Sequence, residues 1–165
     1  MSRVSLRPYL PSDAARCATI FRASIEELAS EDYSADQCAA WAASADDEIA
    51  FAKRLSGALT LVALFEGDVA GFASLKAANA IDMLYVDPAC ARRGVATSLL
   101  DALVKLATAR GAKDVTSDVS DTARPLFERL GFRADRRNLV ELGHEWLANT
   151  TMTKRLAAPS NPSAH

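Results

Sequence analysis

Arg92 and Arg93 stand immediately before Gly94, and an amphipathic run follows at once. The amino end of a helix already carries partial positive charge, because its first N–H groups have no intrahelical acceptor. Two cations added there oppose that end by roughly a few tenths of a kcal/mol. A bound anion is the natural compensation, and a broken local rule of this kind marks a functional site. Ala89, Ala91 and Ala96 carry minimal side chains and Gly94 none, so a ligand can approach the backbone closely. The N–H groups of residues 92–97 would converge on one point, and the guanidinium groups pair well with phosphate oxygens. The chemistry expected is capture of a phosphate-bearing ligand. A P-loop would need a glycine-lysine-serine/threonine ending, and a dinucleotide fold several spaced glycines. Gly94 stands alone, so both are disfavoured.

The elements that must position this loop follow from patterning. Ile81 to Val86 reads as a strand that ends at Asp87-Pro88, because proline cannot join a ladder. From about Gly94 to Arg110, Val95, Leu99, Leu103, Leu106 and Ala107 form the apolar stripe of a helix closed by Gly111. Upstream, Val4 to Arg7 is a strand. A helix then opens at Pro11-Ser12-Asp13 with Ser12 or Asp13 as N-cap, and two shorter helices cover 36–43 and 46–55. Leu59 to Phe65 and Val69 to Leu75 form a hairpin around Glu66-Gly67-Asp68. Downstream come a strand from Asp114 to Val119, a short helix from Thr122 to Leu130, a strand from Phe132 to Val140, and a returning strand from Trp146 to Lys154. The order predicts a mixed α/β (α+β) sheet around one crossover helix. Residues 1–156 form a single domain in this reading, with a disordered tail over 157–165.

Bulk properties narrow the class. The chain has 165 residues, half of them hydrophobic, and a formal net charge of −2. That size supports one real core, and the charge gives no pull toward nucleic acid or an anionic membrane. No apolar run is long enough to span a bilayer, and residues 1–17 lack the apolar core of a signal peptide. Cys17, Cys38 and Cys90 have no disulfide or zinc-ligand spacing, and the chain has only two histidines. The expectation is a cytoplasmic protein without a metal.

The stretch around the doubled arginine resembles the acyl-CoA pyrophosphate loop of the GNAT (GCN5-related) N-acetyltransferases. Arg92-Arg93-Gly94-Val95-Ala96 matches the family's compact form, although Ala91 stands where a longer form has glutamine or arginine. Leu84-Tyr85-Val86-Asp87-Pro88 is similar to the strand that enters this loop. Residues 123–132, ARPLFERLGF, resemble the family's later helix, and 151–156, TMTKRL, its closing strand. VSLRPYLPSD, residues 4–13, is similar to its opening. The resemblance is weakest from Glu31 to Gly57.

The resemblance implies a mostly antiparallel sheet of about seven strands, with the acyl-CoA loop between strand 4 and the long helix. It implies acetyl transfer from acetyl-CoA to a primary amine by direct attack, and it admits a homodimer; small amine, antibiotic, amino acid and peptide N-terminus all stay open as acceptor, with the apolar, aromatic-bearing first third of the chain pointing to a small molecule. Arg92, Arg93, Gly94, Val95, Ala96 and Thr97 would hold the pyrophosphate. The backbone of Leu84, Tyr85 and Val86 would pair with the pantetheine arm. Ser120 stands where relatives place a pantetheine-binding asparagine, and it also suits a helix cap. Arg129 could reach the phosphates or lie on a solvated helix face. Phe127 replaces a tyrosine that often serves as general acid, so it would only pack, against the bound cofactor or the core.

Asp82, two residues before Leu84, shares its face if the strand is regular. It is either the general base or a solvated acid. Tyr85 is a substitute proton donor or a packing aromatic. Tyr33, Trp41 and His144 are candidates for the acceptor site, with core packing the alternative for Trp41 and simple exposure for His144. The lost tyrosine keeps a second reading open, that of a catalytically silent acyl-CoA sensor or partner module.

Overall fold

The protein is described by a computed structural model covering residues 3–157. The tail expected to be disordered falls, past residue 157, outside the described residues. The strands are β1 (Val4–Pro8), β2 (Leu59–Phe65), β3 (Asp68–Lys76), β4 (Ala80–Val86), β5 (Asp114–Ser120), β6 (Arg133–Leu142) and β7 (Glu145–Arg155). The helices are α1 (Ala14–Leu28), α2 (Ala35–Ala42), α3 (Glu48–Ser56), α4 (Val95–Ala109) and α5 (Arg124–Arg129). The strands form one sheet in the order β1-β2-β3-β4-β5-β7-β6. Each neighbouring pair is antiparallel except β4 and β5. Among the described residues, no helix is long and apolar enough to cross a membrane.

Local chemistry explains the elements. Glu66 and Gly67 both take positive φ, 52° and 91°, as a two-residue hairpin between twisted strands requires. Parallel β4 and β5 need a crossover, and α4 supplies it. Ser34 caps α2 through a reciprocal pair: its hydroxyl accepts from the Gln37 N–H at 3.1 Å, and Gln37 accepts from the Ser34 N–H at 2.9 Å. Asp13 is the N-cap residue of α1, one of the two expected, but its side chain does not bond the first N–H groups of the helix. The Asp13 carboxylate instead accepts two bonds from Arg7, at 2.8 and 2.9 Å, and one from the Leu10 N–H. The Arg7 guanidinium holds this buried carboxyl below the ordinary range.

The two faces of the sheet are packed differently. α4 and α5 cover one with aliphatic residues, Leu99, Leu100, Leu103 and Ala107 on Ala73, Leu75 and Val115. α1, α2 and α3 cover the other with rings: Phe21, Phe51, Phe72 and Tyr85 interlock at centroid distances of 4.6 to 6.3 Å. Gly71 on β3 lets α4 sit close. A Cβ there would come within 2.9 Å of both the Tyr85 carbonyl oxygen and a Val95 methyl.

Candidate active site

β4 and β5 pair only at Ala80–Thr116 and Ile81–Ser117, then diverge. The Ser117 hydroxyl marks the parting, donating to the Ile81 carbonyl at 3.0 Å. Beyond it, one edge of β4 has no strand partner. The Asp87 N–H donates to the Ala70 carbonyl at 2.7 Å, which fixes the phase of the β3–β4 ladder. Alternation along an antiparallel pair then directs the backbone groups of Leu84 and Val86 away from β3, into the gap. A cleft of about 350 Å³ fills that side. Leu84, Tyr85 and Val86 form one wall, the start of α4 another, and Ser120, Ala123 and Arg129 a third.

The start of α4 is built for an anion. Gly94 takes the N-cap position with φ +82°, in the left-handed region that glycine adopts most easily. It provides no capping side chain, and the first turn holds no acid. The first N–H groups therefore lack the usual side-chain acceptor. Arg92, itself at φ +62°, and Arg129 both line the cleft and are exposed. Neither pairs with a carboxylate among the described residues. By contrast, Arg16 of α1 is neutralised by Asp87 at 2.5 Å.

A waist of about 70 Å³ leads from the cleft through the sheet between β4 and β5. It shares Trp41, Leu84, Tyr85, Ser120 and Ala123 with the cleft and adds Asp82, Asp118 and Phe127. On the far side it meets an outer chamber of about 200 Å³, which shares Ile81, Asp82, Ser117 and Asp118 with the waist. The passage thus joins the α4 face to the α3 side of the sheet. Among the described residues, no three metal-binding side chains gather.

Residues 29–156 match the acetyltransferase (GNAT) domain family. This chain belongs to the GNAT acetyltransferases. It is 36% identical over 152 residues to the uncharacterized N-acetyltransferase YafP of Escherichia coli K12, covering 92% of this chain and 96% of that one. It is 58% identical to a GCN5-related N-acetyltransferase, "Aminotransferase, Class-II", from Rhodopseudomonas palustris, whose crystal structure superposes with a TM-score of 0.93 over 94% of this chain and 98% of that chain. The fold is also that of the PaiA N-acetyltransferase of Thermoplasma acidophilum, solved in complex with coenzyme A: TM-score 0.74 and 17% identity over 94% of this chain and 100% of that chain.

The seven-stranded sheet and the loop between β4 and α4 are those expected of a GNAT enzyme. Most of the expected donor-side residues meet in the cleft: Leu84, Tyr85, Val86, Arg92, Gly94, Val95, Ala96, Thr97, Ser120 and Arg129 all line it. Arg93 does not. Its guanidinium turns out of the cleft and lies 6.0 Å over the Phe65 ring of β2. Adjacent residues before a helix point in different directions, and the sequence does not say which arginine faces inward. The Ser120 hydroxyl accepts the Ala123 N–H at 3.1 Å, so it does cap the next turn, while its own proton is left free for a ligand. Phe127 is buried, packs on Phe132 at 5.0 Å, and lines the waist rather than the cleft.

Asp82 departs from the expected face. The β3–β4 register shifts between Ser74 and Leu75, leaving Asp82 as the extra residue of a bulge. Met83 and Tyr85 therefore pack with the ring-bearing face while Leu84 stays on the α4 face. Asp82 meets Arg54 of α3, each of its oxygens accepting one bond, at 2.8 and 3.0 Å.

Tyr85 stands edge-on to Phe21 and Trp41. Its phenol pKa is pushed up to about 12, chiefly by burial, with the Trp41 indole and Arg54 opposing. Trp41 lines both cleft and waist. Tyr33 lines neither. Its hydroxyl donates to the Ala148 carbonyl at 2.6 Å and accepts the Asp121 N–H at 2.9 Å, bolting the β5–α5 loop to β7. His144 is exposed at the β6–β7 turn and lines none of the three cavities. Arg54, Gly71 and Asp118 were not singled out by sequence reasoning. Gly71 alone carried a signal, a glycine inside a strand, which often marks a close backbone approach.

Proposed function

We propose that this GNAT enzyme takes acetyl-CoA as donor and moves the acetyl group directly to a primary amine of a small molecule. The observation that carries the reading is the cleft itself: an uncapped helix start flanked by two unpaired arginines, continuous with the open edge of β4. The residues present fit the donor. The first amides of α4 with Arg92 and Arg129 suit a diphosphate, through N–H groups and charge together. The outward backbone groups of Leu84 and Val86 suit an extended amide-bearing arm, received as an added strand would be. Bound acetyl-CoA supplies an acyl group activated as a thioester.

The chain's own groups supply binding, orientation and proton control. A backbone N–H on the open edge of β4 donates to the acyl oxygen, where negative charge develops. Ser120 offers its hydroxyl proton at the mouth of the waist. Phe127 has no proton to give and closes the waist as an apolar wall. Tyr85 keeps its proton across the neutral range, with its oxygen facing the Trp41 indole. In balance, R–NH3+ and the thioester give the amide, the thiol and one proton. The C–N bond forms, the C–S bond breaks, one nitrogen proton ends on sulfur and the other passes to water through the outer chamber.

The test is thiol release from acetyl-CoA against a panel of primary amines, with the products identified by mass. Amine-dependent release matched by N-acetyl product supports the reading. Release without an amine requirement would show a thioesterase. No release together with no binding of CoA would remove the donor assignment.

A further inference from the structure

Two carboxylates line both the waist and the outer chamber, and they are not equivalent. Asp82 is neutralised by Arg54, which engages both of its oxygens. Asp118, across the gap on β5, faces no cation at hydrogen-bond distance among the described residues. One of its oxygens accepts the Thr151 hydroxyl at 2.6 Å, and the other has no hydrogen-bond partner among them. Thr151 is itself fixed. Its oxygen accepts from the Asn138 amide at 2.9 Å, so its proton is committed to Asp118, and the same amide also donates to Asn149 at 2.9 Å. The relay runs across β6, β7 and β5 and ends on a carboxylate at the mouth of the passage. A group oriented by a second, which is oriented by a third, is the arrangement that sets a side chain for work on a ligand.

We infer that Asp118, rather than Asp82, receives the acceptor ammonium, which enters from the α3 side through the outer chamber bounded by Lys76, Thr116 and Asp118. The inference rests on the cleft being the acyl-CoA site. Its free oxygen takes one N–H of the ammonium in a charge-assisted bond and sets the nitrogen at the waist, facing the open edge of β4. Asp82 with Arg54 then forms a charge-compensated wall that rejects no cation and holds none. An acceptor carrying a primary ammonium on a slender arm suits a waist of about 70 Å³. A secondary or branched amine does not.

The test titrates the protein–CoA complex with 1,4-diaminobutane, benzylamine and the neutral benzyl alcohol, using isothermal calorimetry at low salt. The proteins are wild type, Asp118→Asn and the double variant Asp82→Asn/Arg54→Gln, which removes both charges of that pair together. Asparagine at 118 still accepts from Thr151, so the relay survives, and unchanged thermal midpoints establish that both variants fold. The expected result has four parts. At least one amine binds the wild-type complex while the alcohol does not. Asp118→Asn weakens that amine about tenfold or more, the cost of one bond to a charged group. Asp82→Asn/Arg54→Gln, which keeps the local charge balance, changes it less than about threefold. CoA affinity stays the same in all three proteins. If neither amine binds, if the alcohol binds equally, or if Asp82→Asn/Arg54→Gln carries the loss, the Asp118 assignment is overturned while CoA binding leaves the donor reading standing. If CoA itself does not bind, the donor reading falls first and Asp118 with it.

Discussion

On the α4 face, the gap between β4 and β5 is walled by aliphatic side chains and by backbone. On the α1–α3 face, it is walled by rings, ion pairs and a hydroxyl-amide relay. The first side presents the amides of α4 and the outward groups of Leu84 and Val86. The second presents Asp82 with Arg54 and Asp118 with Thr151, while Tyr85 and Trp41 border both sides. The difference matches what each side has to recognise. A donor shared by a whole family can be held by main-chain groups, which any sequence supplies once a glycine and small residues permit close approach. An acceptor particular to one enzyme has to be read by side chains drawn from distant parts of the chain.

The same division decides what could be read from the sequence. The donor side is local: β4, the loop and the start of α4 lie within residues 80–97, so a single stretch displays the strand, the stop at Pro88 and the helix start. The acceptor side is assembled over long separations, Arg54 to Asp82 across 28 residues and Asp118 to Thr151 across 33. Tyr33 looked like a ligand-facing aromatic because sequence does not show where a hydroxyl is spent. Asp82 was placed on the wrong face because the bulge arises from pairing with β3, and nothing in residues 80–86 announces it. Asp118 alternates with the buried Val115, Ser117 and Val119 and therefore reads as an ordinary solvated acid.

Predictions that strain this contrast run from core to rim. Phe127→Ala removes the apolar wall shared by the α4 core and the waist. It should cost about 3–5 kcal/mol in urea unfolding, with the loss lying on the α4 side. Gly71→Ala presses a methyl against the Tyr85 carbonyl and Val95. A cost of about 1–3 kcal/mol is expected, together with weaker CoA binding, because the start of α4 must shift. Unaltered stability and affinity would show that the close seat of α4 is not what sets the donor loop.

Tyr33→Phe leaves the Asp121 N–H and the Ala148 carbonyl without their partner. It should cost about 1–2 kcal/mol yet leave CoA affinity unchanged, since Tyr33 lines no part of the cleft. Asp13→Asn carries a pH signature. The Asp13 pKa is held below its ordinary value of 3.8, so its contribution is fully present above about pH 4 and is lost as pH falls through the depressed value. Wild type should exceed the variant by about 1 kcal/mol near neutrality, and the two curves should converge in acid. The smallest effect belongs to Arg93→Ala, at less than about threefold in CoA affinity, because an exposed cation resting on Phe65 contributes well under 1 kcal/mol.

The central claim is that the start of α4 with Arg92 and Arg129 binds the diphosphate of the acyl donor. It is tested most directly by calorimetric titration of CoA into wild type, Arg93→Ala and the double variant Arg92→Ala/Arg129→Ala. Two lost charge-assisted bonds predict a drop of about a hundredfold or more for the double variant, with Arg93→Ala close to wild type. Equal CoA affinity in all three proteins, each folded, would contradict the assignment.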